Sequence, residues 1–120
     1  MPQLATSSHA EIFVRIKNLA RRKYRTYKEL VEIEFDAAKS EANAAHRGLP
    51  FLLVAGLDFD TALIAEDTRK TYGETRFIAV GFIGSRLHVV AYTLRGERLR
   101  VISFRKANRR EAARYAQARY

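Results

Sequence analysis

The fold is decided by residues 76–111, which read RFIAVGFIGSRLHVVAYTLRGERLRVISFRKANRRE. Apolar residues dominate this stretch or alternate with polar ones, a pattern that is typical of strands. The pattern predicts three strands, at Arg76–Ile83, Arg86–Leu94 and Arg98–Phe104. The connections between them are of hairpin length, and Gly84 and Gly96 can take the positive φ that tight turns need. We therefore expect an antiparallel meander of three consecutive strands.

The residues before and after the meander predict the other elements. In Val31–Asp36 apolar and acidic residues alternate strictly, which predicts a half-buried strand whose acidic outer face suits the edge of a sheet. Asp36 can cap the alanine-rich helix that follows, and Gly48 can end it. Asn108 and Glu111 have the spacing of a capping box at the start of a final helix. The remaining predicted elements are helices over Glu11–Leu30, Ala37–Ala45, Phe51–Leu57 and Arg109–Ala118, and a strand over Thr61–Ala65.

After the N-terminal segment, the element order is β-α-α-β-β-β-β-α. This order separates the helices from a mostly antiparallel sheet of four to five strands, which is the α+β class. A chain of 120 residues is one domain by size, and without cysteine it has neither disulfides nor thiolate metal sites. No apolar stretch is long enough to span a membrane, so we expect a cytoplasmic protein with no membrane partner.

The net charge of +9 is distributed unevenly along the chain. The first 31 and the last 35 residues are strongly basic, whereas the middle carries an excess of acid. Arg98 and Arg100 share one face of the last predicted strand. Four more cations lie at the end of that strand and in the first turn of the next helix: Arg105, Lys106, Arg109 and Arg110. Because a helix start binds anions, these cations predict a phosphate-rich ligand, against the alternative of a solvated basic face with no ligand.

Cleavage of RNA without a metal ion needs a base for the 2′-hydroxyl, a proton donor for the leaving oxygen and positive charge at the phosphate. Glu74 and Arg76 lie two residues apart at a strand start, so they could share a face with the arginines of the last strand. His46 ends a helix and could contact RNA or simply cap the helix. The other acid–base candidates are His88, which we expect in the core, Glu97 and Tyr92.

A magnesium-dependent nuclease is the alternative that the acidic residues offer. These residues lie in a predicted loop and an edge strand, away from the basic segment: Asp58, Asp60, Glu66 and Asp67. We therefore favour metal-independent chemistry and expect neither a metal nor another cofactor.

Three stretches, in the right order along the chain, resemble the BrnT family of toxins. The first stretch matches the opening of the family and comprises Val31–Asp36 with Ala38, Lys39, Asn43 and Gly48–Phe51. The second, Gly73–Phe77, matches its central Gly-Glu-x-Arg motif. The third, Tyr92–Glu111, matches its C-terminal signature. The resemblance covers residues 32–120, and it leaves residues 1–31 as a basic N-terminal extension, partly helical or flexible. The sequence departs from the family at His46-Arg47-Gly48, where the usual order is Lys-His-Gly.

The resemblance implies a RelE-like fold and a bacterial type II toxin, a ribonuclease that cleaves RNA and arrests translation. It also implies a BrnA-type antitoxin that silences the toxin, forms a hetero-oligomer with it and supplies the contact with operator DNA. The matching positions, together with the residues argued above, give catalytic candidates Glu74, Arg76, Arg105 and Lys106. They give RNA-binding candidates Arg98, Arg100, Arg109, Arg110 and His46.

Three functions stay open at the level of sequence. The first is a metal-independent endoribonuclease toxin that a partner antitoxin holds inactive. The second is a non-catalytic module that binds RNA or the ribosome, which the lack of an unambiguous acid–base pair suggests. The third is a chain whose charge mainly serves docking to an acidic antitoxin.

Overall fold

A computed structural model describes residues 11–17 and 30–119 of the protein. These residues form six strands, two α-helices and one 3₁₀ helix. In chain order the elements are β1 (Glu11–Lys17), β2 (Leu30–Asp36), α1 (Ala37–Arg47), the 3₁₀ helix (Phe51–Gly56), β3 (Leu63–Glu66), β4 (Arg76–Ile83), β5 (Arg86–Arg95), β6 (Arg98–Lys106) and α2 (Arg109–Arg119). The predicted α+β class is confirmed.

The described strands form one sheet in the order β1-β2-β6-β5-β4-β3. β4, β5 and β6 are consecutive antiparallel neighbours, which confirms the predicted meander. Their turns contain Gly84 and Gly96, each with a φ of 63°. β2 runs parallel to β6 over a short stretch, in which Glu32–Glu34 lie opposite Arg98–Arg100. Because parallel strands need a long connection, α1, the 3₁₀ helix and β3 to β5 lie between these two strands in the sequence.

β1 corrects two of the predictions. β2 is not an edge strand, because β1 pairs with its other side in antiparallel orientation. The helix predicted over Glu11–Leu30 is wrong for Glu11–Lys17, which form a strand. The apolar residues of this segment include a period-two set, so the spacing fits a strand as well as a helix. The remainder of that predicted helix, residues 18–29, lies outside the described residues.

The main core lies between one face of the sheet and the segment 49–59, which contains the 3₁₀ helix. Tyr92 of β5 is fully buried there, stacked on Phe77 with 5.6 Å between ring centroids and in edge contact with Phe59 at 6.1 Å. Other buried members of this core are Ile33, Phe35, Phe51, Val54, Leu99, Val101 and Phe104. Since β2 and β6 both contribute side chains, burial of apolar surface holds the parallel pair together.

α2 covers part of the opposite face of the sheet. Its Tyr115 packs with Leu87 and Val89 of β5, and its ring lies edge-on to Phe82 at 5.5 Å. The Tyr115 hydroxyl donates a hydrogen bond to the carbonyl oxygen of Thr61 at 3.0 Å. This contact ties the last helix to the segment that leads into β3. No helix among the described residues is long and apolar enough to cross a membrane.

Both ends of α1 are closed as the sequence predicts. Asp36 Oδ1 accepts hydrogen bonds from the backbone N–H groups of Ala38 at 2.8 Å and Lys39 at 3.2 Å. Gly48 has a φ of 72° and donates its N–H to the carbonyl oxygen of Ala44. The negative charge of Asp36 is also stabilised by the positive end of the helix dipole. This cap therefore fixes where β2 ends and α1 begins.

Removal of this cap should destabilise the fold measurably. We expect Asp36→Ala to lower the free energy of unfolding by about 1 kcal/mol, since two backbone N–H groups lose their acceptor. Urea unfolding followed by circular dichroism measures the change. Glu41→Ala, at an exposed position of the same helix, is the matched control and should change the value by less than about 0.5 kcal/mol. Equal losses in the two variants would contradict the capping role.

Candidate nucleic-acid interface

Three adjacent strands place two predicted arginines in one row across the sheet. Arg76 in β4 pairs with Thr93 in β5, and Thr93 pairs with Arg100 in β6. Directly paired residues of antiparallel strands share a face, so both arginines rise from the same side of the sheet. With neighbouring strands about 4.8 Å apart, the two backbones are about 10 Å apart. The next row repeats the arrangement, since Arg95 pairs with Arg98.

Glu34 of β2 lies at the centre of these cations. Its side chain is 6% exposed, and its oxygens lie 2.9 Å from Nη1 of Arg100, 3.6 Å from Nη1 of Arg98 and 3.8 Å from Nη1 of Arg95. The parallel register also sets Glu32 opposite Arg98, where Nε and Oε1 are 3.2 Å apart. The acidic face of β2 is therefore explained by the basic face of β6 and not by an edge position.

Glu34 and Arg95 are not among the site residues predicted from the sequence. The signal was present, because acids alternate along β2 in the same period as arginines alternate at the start of β6. Two strands with complementary alternating charges are good candidates for neighbours in a sheet. We refer to Arg76, Arg95, Arg98 and Arg100 together as the arginine cluster.

Glu74 joins Arg76 to the rest of the cluster. Its Oε2 accepts from Nε of Arg76 at 3.2 Å, and its Oε1 lies 3.6 Å from Nη2 of Arg95. The Glu74 side chain is 30% exposed, in contrast to the buried side chain of Glu34. The structure therefore brings Glu74, Arg76, Arg98 and Arg100 into one ion-pair network, and it leaves Glu74 accessible from the solvent side.

The loop before β4 supports the side chain of Arg76. The Arg76 guanidinium lies over the ring of Tyr72, 4.2 Å from its centroid, and the Tyr72 hydroxyl donates to Oδ2 of Asp67 at 2.9 Å. Arg69 donates to both oxygens of Asp67 at 2.8 Å. The hydrogen bond from Arg69 holds the pKa of Asp67 well below its ordinary value, so this carboxylate stays charged. Stacking and the Glu74 ion pair together set the orientation of Arg76.

Arg105 anchors the last helix. Its Nη1 and Nη2 donate to Oε1 and Oε2 of Glu111 at 2.8 and 2.7 Å. Glu111 Oε1 also accepts from the N–H of Asn108, whose Oδ1 accepts from the N–H of Glu111, both at 2.8 Å. The predicted capping box is therefore present, and Arg105 ties it to β6. Its hydrogen bonds lower the pKa of Glu111 to about 2.

Lys106 lies on the other face of the sheet from Arg105, because successive residues of a strand point to opposite sides. It pairs with His88, which is 5% exposed and whose ring centroid is 5.4 Å from that of Phe104. Burial lowers the pKa of His88, and its Nδ1 lies 2.9 Å from the carbonyl oxygen of Arg86. The expectation of His88 in the core is confirmed. Arg105 and Lys106, neighbours in sequence, do not form one cluster.

The other predicted residues lie outside the arginine cluster. Arg109 and Arg110 are exposed in the first turn of α2. His46 is exposed near the end of α1, beside a cleft on the α1 side of β6. Tyr92 is buried in the core, and Glu97 is exposed in the turn before β6.

The acidic residues weighed for a magnesium site serve the loops around β3. Asp58 Oδ1 accepts from the N–H of Asp60, and its Oδ2 accepts from the Thr61 hydroxyl. Asp67 is engaged by Arg69 and Tyr72 as described above. Over residues 11–17 and 30–119, no three His, Asp or Glu side chains are grouped so that they could hold a metal ion.

Comparison with known proteins adds one finding. A family model described as "Ribonuclease toxin, BrnT, of type II toxin-antitoxin system" matches residues 35–111, more than half of the chain. The matched range contains Glu74, the whole arginine cluster and the capping box of α2. A search of curated proteins gave no significant match.

The Arg105–Glu111 pair should make stability depend on acid. Because folding lowers the pKa of Glu111 from its ordinary 4.5 to about 2, its contribution is complete above pH 4.5 and is lost as the pH falls towards 2. We expect the free energy of unfolding to fall more steeply over this window in the wild type than in Glu111→Gln. Urea unfolding at a series of pH values measures both slopes. Glu97→Gln, in an exposed turn, controls for loss of a negative charge and should keep the wild-type slope.

Proposed function

We propose that this chain, which belongs to the family of BrnT ribonuclease toxins of type II toxin–antitoxin systems, is an endoribonuclease. It cleaves RNA and thereby arrests translation. The observation that carries the proposal is the row of Arg76, Thr93 and Arg100 on one sheet face, with Glu74 beside Arg76. A phosphodiester placed over this row meets cations on two sides and an accessible carboxylate next to them.

The arginines supply what a metal ion would otherwise provide at the phosphate. A guanidinium has five N–H donors, more than the carboxylate of Glu74 can accept from Arg76, so the same arginine can hold a carboxylate and a phosphate oxygen. Donors that are oriented before the substrate arrives stabilise the developing negative charge without reorganising. The stacked and ion-paired Arg76 fits this requirement.

Glu74 is our candidate for the base. We propose that its carboxylate takes the proton of the 2′-hydroxyl, whose oxygen then attacks the adjacent phosphorus. The bond from phosphorus to the 5′-oxygen breaks, and the leaving oxygen takes a proton from water at the open sheet face. The products would be a 2′,3′-cyclic phosphate and a 5′-hydroxyl. Glu34 is too deeply buried for this role, and its position suits orientation of the arginines instead.

The remaining predicted cations receive different roles from their positions. Arg105 supports the site by holding α2 on β6. Lys106, Arg109 and Arg110 are exposed and suit contacts with the RNA backbone beyond the cleaved linkage. We further propose residues 32–120 as the toxin domain, neutralised by a BrnA-type antitoxin that forms a hetero-oligomer with it and makes the contact with operator DNA. The net charge of +9 favours an acidic surface on that partner.

A second candidate function is a non-catalytic module that binds RNA or the ribosome. The observation in its favour is that both oxygens of Glu74 face arginines, at 3.2 and 3.6 Å, so the guanidinium groups already occupy positions that a substrate hydroxyl would need. Such a module would bind RNA with a steep salt dependence and would leave it intact.

Cleavage by the purified protein, with a chelator present, separates the two candidates. We expect Glu74→Gln and Arg76→Gln each to slow cleavage of a defined RNA by about 100-fold, since the first removes the proposed base and the second removes a cation at the phosphate. Arg86→Gln, at an exposed arginine that begins β5, is the control and should cleave at the wild-type rate. Expression without antitoxin should arrest growth in the wild type and in Arg86→Gln only.

Two results would contradict the assignment. Wild-type protein that binds the RNA and arrests growth without cleaving it would support the non-catalytic module. Full cleavage by Glu74→Gln would remove Glu74 from the mechanism and leave the arginine cluster as the site of binding alone.

A further inference from the structure

A cleft of about 330 Å³ lies outside the arginine cluster, between α1 and β6. Ala42 and His46 of α1 line one wall, and Ile102 and Ser103 of β6 line the other. Its floor includes Phe51, which is buried in the main core. None of the functions proposed above uses this cleft.

A β-bulge lies beside the cleft. Tyr92 pairs with Val101 and Ala91 pairs with Ser103, so Ile102 is an extra residue in β6. β2 pairs with β6 only as far as Arg100, and beyond that point α1 takes the place of a neighbouring strand. Asn43 Nδ2 donates to the carbonyl oxygens of Phe104 at 2.9 Å and of Leu49 at 2.7 Å, which fixes α1 against the strand.

The walls of the cleft combine an apolar floor with a cationic rim. Ala42, Ile102 and Phe51 supply the apolar part. The other lining residues include Lys39, His46 and Arg47, and none of the described residues that line the cleft is acidic. This combination suits a ligand with a flat, weakly polar body and a negative charge at its edge. A nucleotide has both parts, because its base can pack on apolar side chains while its phosphate pairs with cations.

The cleft lies near the proposed catalytic face. Ser103 lines the cleft, and its partner Ala91 lies on the same face as Thr93 and Arg100. Arg100 and Ser103 are three residues apart along β6, so their backbones are about 10 Å apart at most. An RNA strand with a phosphate at the arginine cluster can therefore reach the cleft with a nucleotide near the cleaved linkage.

We propose that the cleft between α1 and the β-bulge of β6 binds one nucleotide of the RNA substrate that flanks the cleaved linkage. The base packs on Ala42 and Ile102, and Lys39 and Arg47 pair with its phosphate. The proposal rests on the proposed function for the identity of the substrate. It assigns a role to His46 as a rim residue of this subsite, at a distance from the reacting atoms.

Filling the cleft tests the proposal. Ala42→Phe adds a ring at an exposed position of α1 that lines the cleft, whereas Ala45→Phe adds the same ring at an exposed position of the same helix that does not. The probe is a short fluorescein-labelled 2′-O-methyl RNA of mixed sequence, which cannot be cleaved through a 2′-hydroxyl. Fluorescence anisotropy should show binding about tenfold weaker in Ala42→Phe and unchanged in Ala45→Phe, because one base loses its packing surface.

A second variant tests the rim without touching the packing. Lys39→Gln should reduce the slope of log affinity against log salt by about 1, as expected for the loss of one phosphate contact, with the circular dichroism spectrum unchanged. Wild-type affinity and salt slope in both Ala42→Phe and Lys39→Gln would overturn the subsite. So would a loss confined to antitoxin binding, which would identify the cleft as a protein-docking surface.

The outcomes separate this inference from the proposed function. If the wild type cleaves no RNA and yet binds the 2′-O-methyl probe through Ala42, the endoribonuclease proposal fails and the nucleotide subsite stands. If the wild type cleaves RNA and Ala42→Phe binds the probe normally, the catalytic proposal stands and the subsite is wrong.

Discussion

The arrangement of this molecule depends on one buried carboxylate, that of Glu34. An ionised carboxylate removed from water is costly unless cations and hydrogen bonds replace its hydration, and here Arg95, Arg98 and Arg100 do so. The parallel register that sets Glu34 opposite Arg100 also points the side chain of Ile33 towards the main core. A slip of one residue would bury the acids among apolar side chains and expose Ile33. The ion pairs and the apolar core therefore specify the same pairing of β2 with β6.

The carboxylate of Glu34 and its neighbouring acids also hold the arginines that carry much of the positive charge of the C-terminal third. Arginines without partners would repel one another, and each would adopt many rotamers in water. Held by Glu32, Glu34 and Glu74, they keep fixed positions on one sheet face before any ligand arrives. A preorganised cluster of this kind binds a phosphate with little loss of side-chain entropy. The acidic middle of the chain therefore belongs to the cationic site as much as the basic C-terminal third does.

Local features of the fold could be predicted from the sequence, and distant pairings could not. The meander, the cap at Asp36 and the capping box at Asn108 each depend on residues close together in the chain. The place of β2 depends on the contact of Glu34 with Arg100, 66 residues further on, and only a comparison of the charge patterns of these two distant strands points to it. The candidate site shows the same limit. Arg105 and Lys106 were grouped because they are adjacent, although strand alternation sends them to opposite faces.

On the side away from β5, β6 has different neighbours before and after the bulge at Ile102. Up to Arg100 the strand is paired with β2, and its arginines are neutralised by the acids of that strand. Past the bulge the neighbour is α1, whose exposed cations line the cleft. None of the described residues that line the cleft is acidic. The two halves of β6 therefore differ: the first carries ion-paired arginines, and the second lies beside an open cleft with a cationic rim.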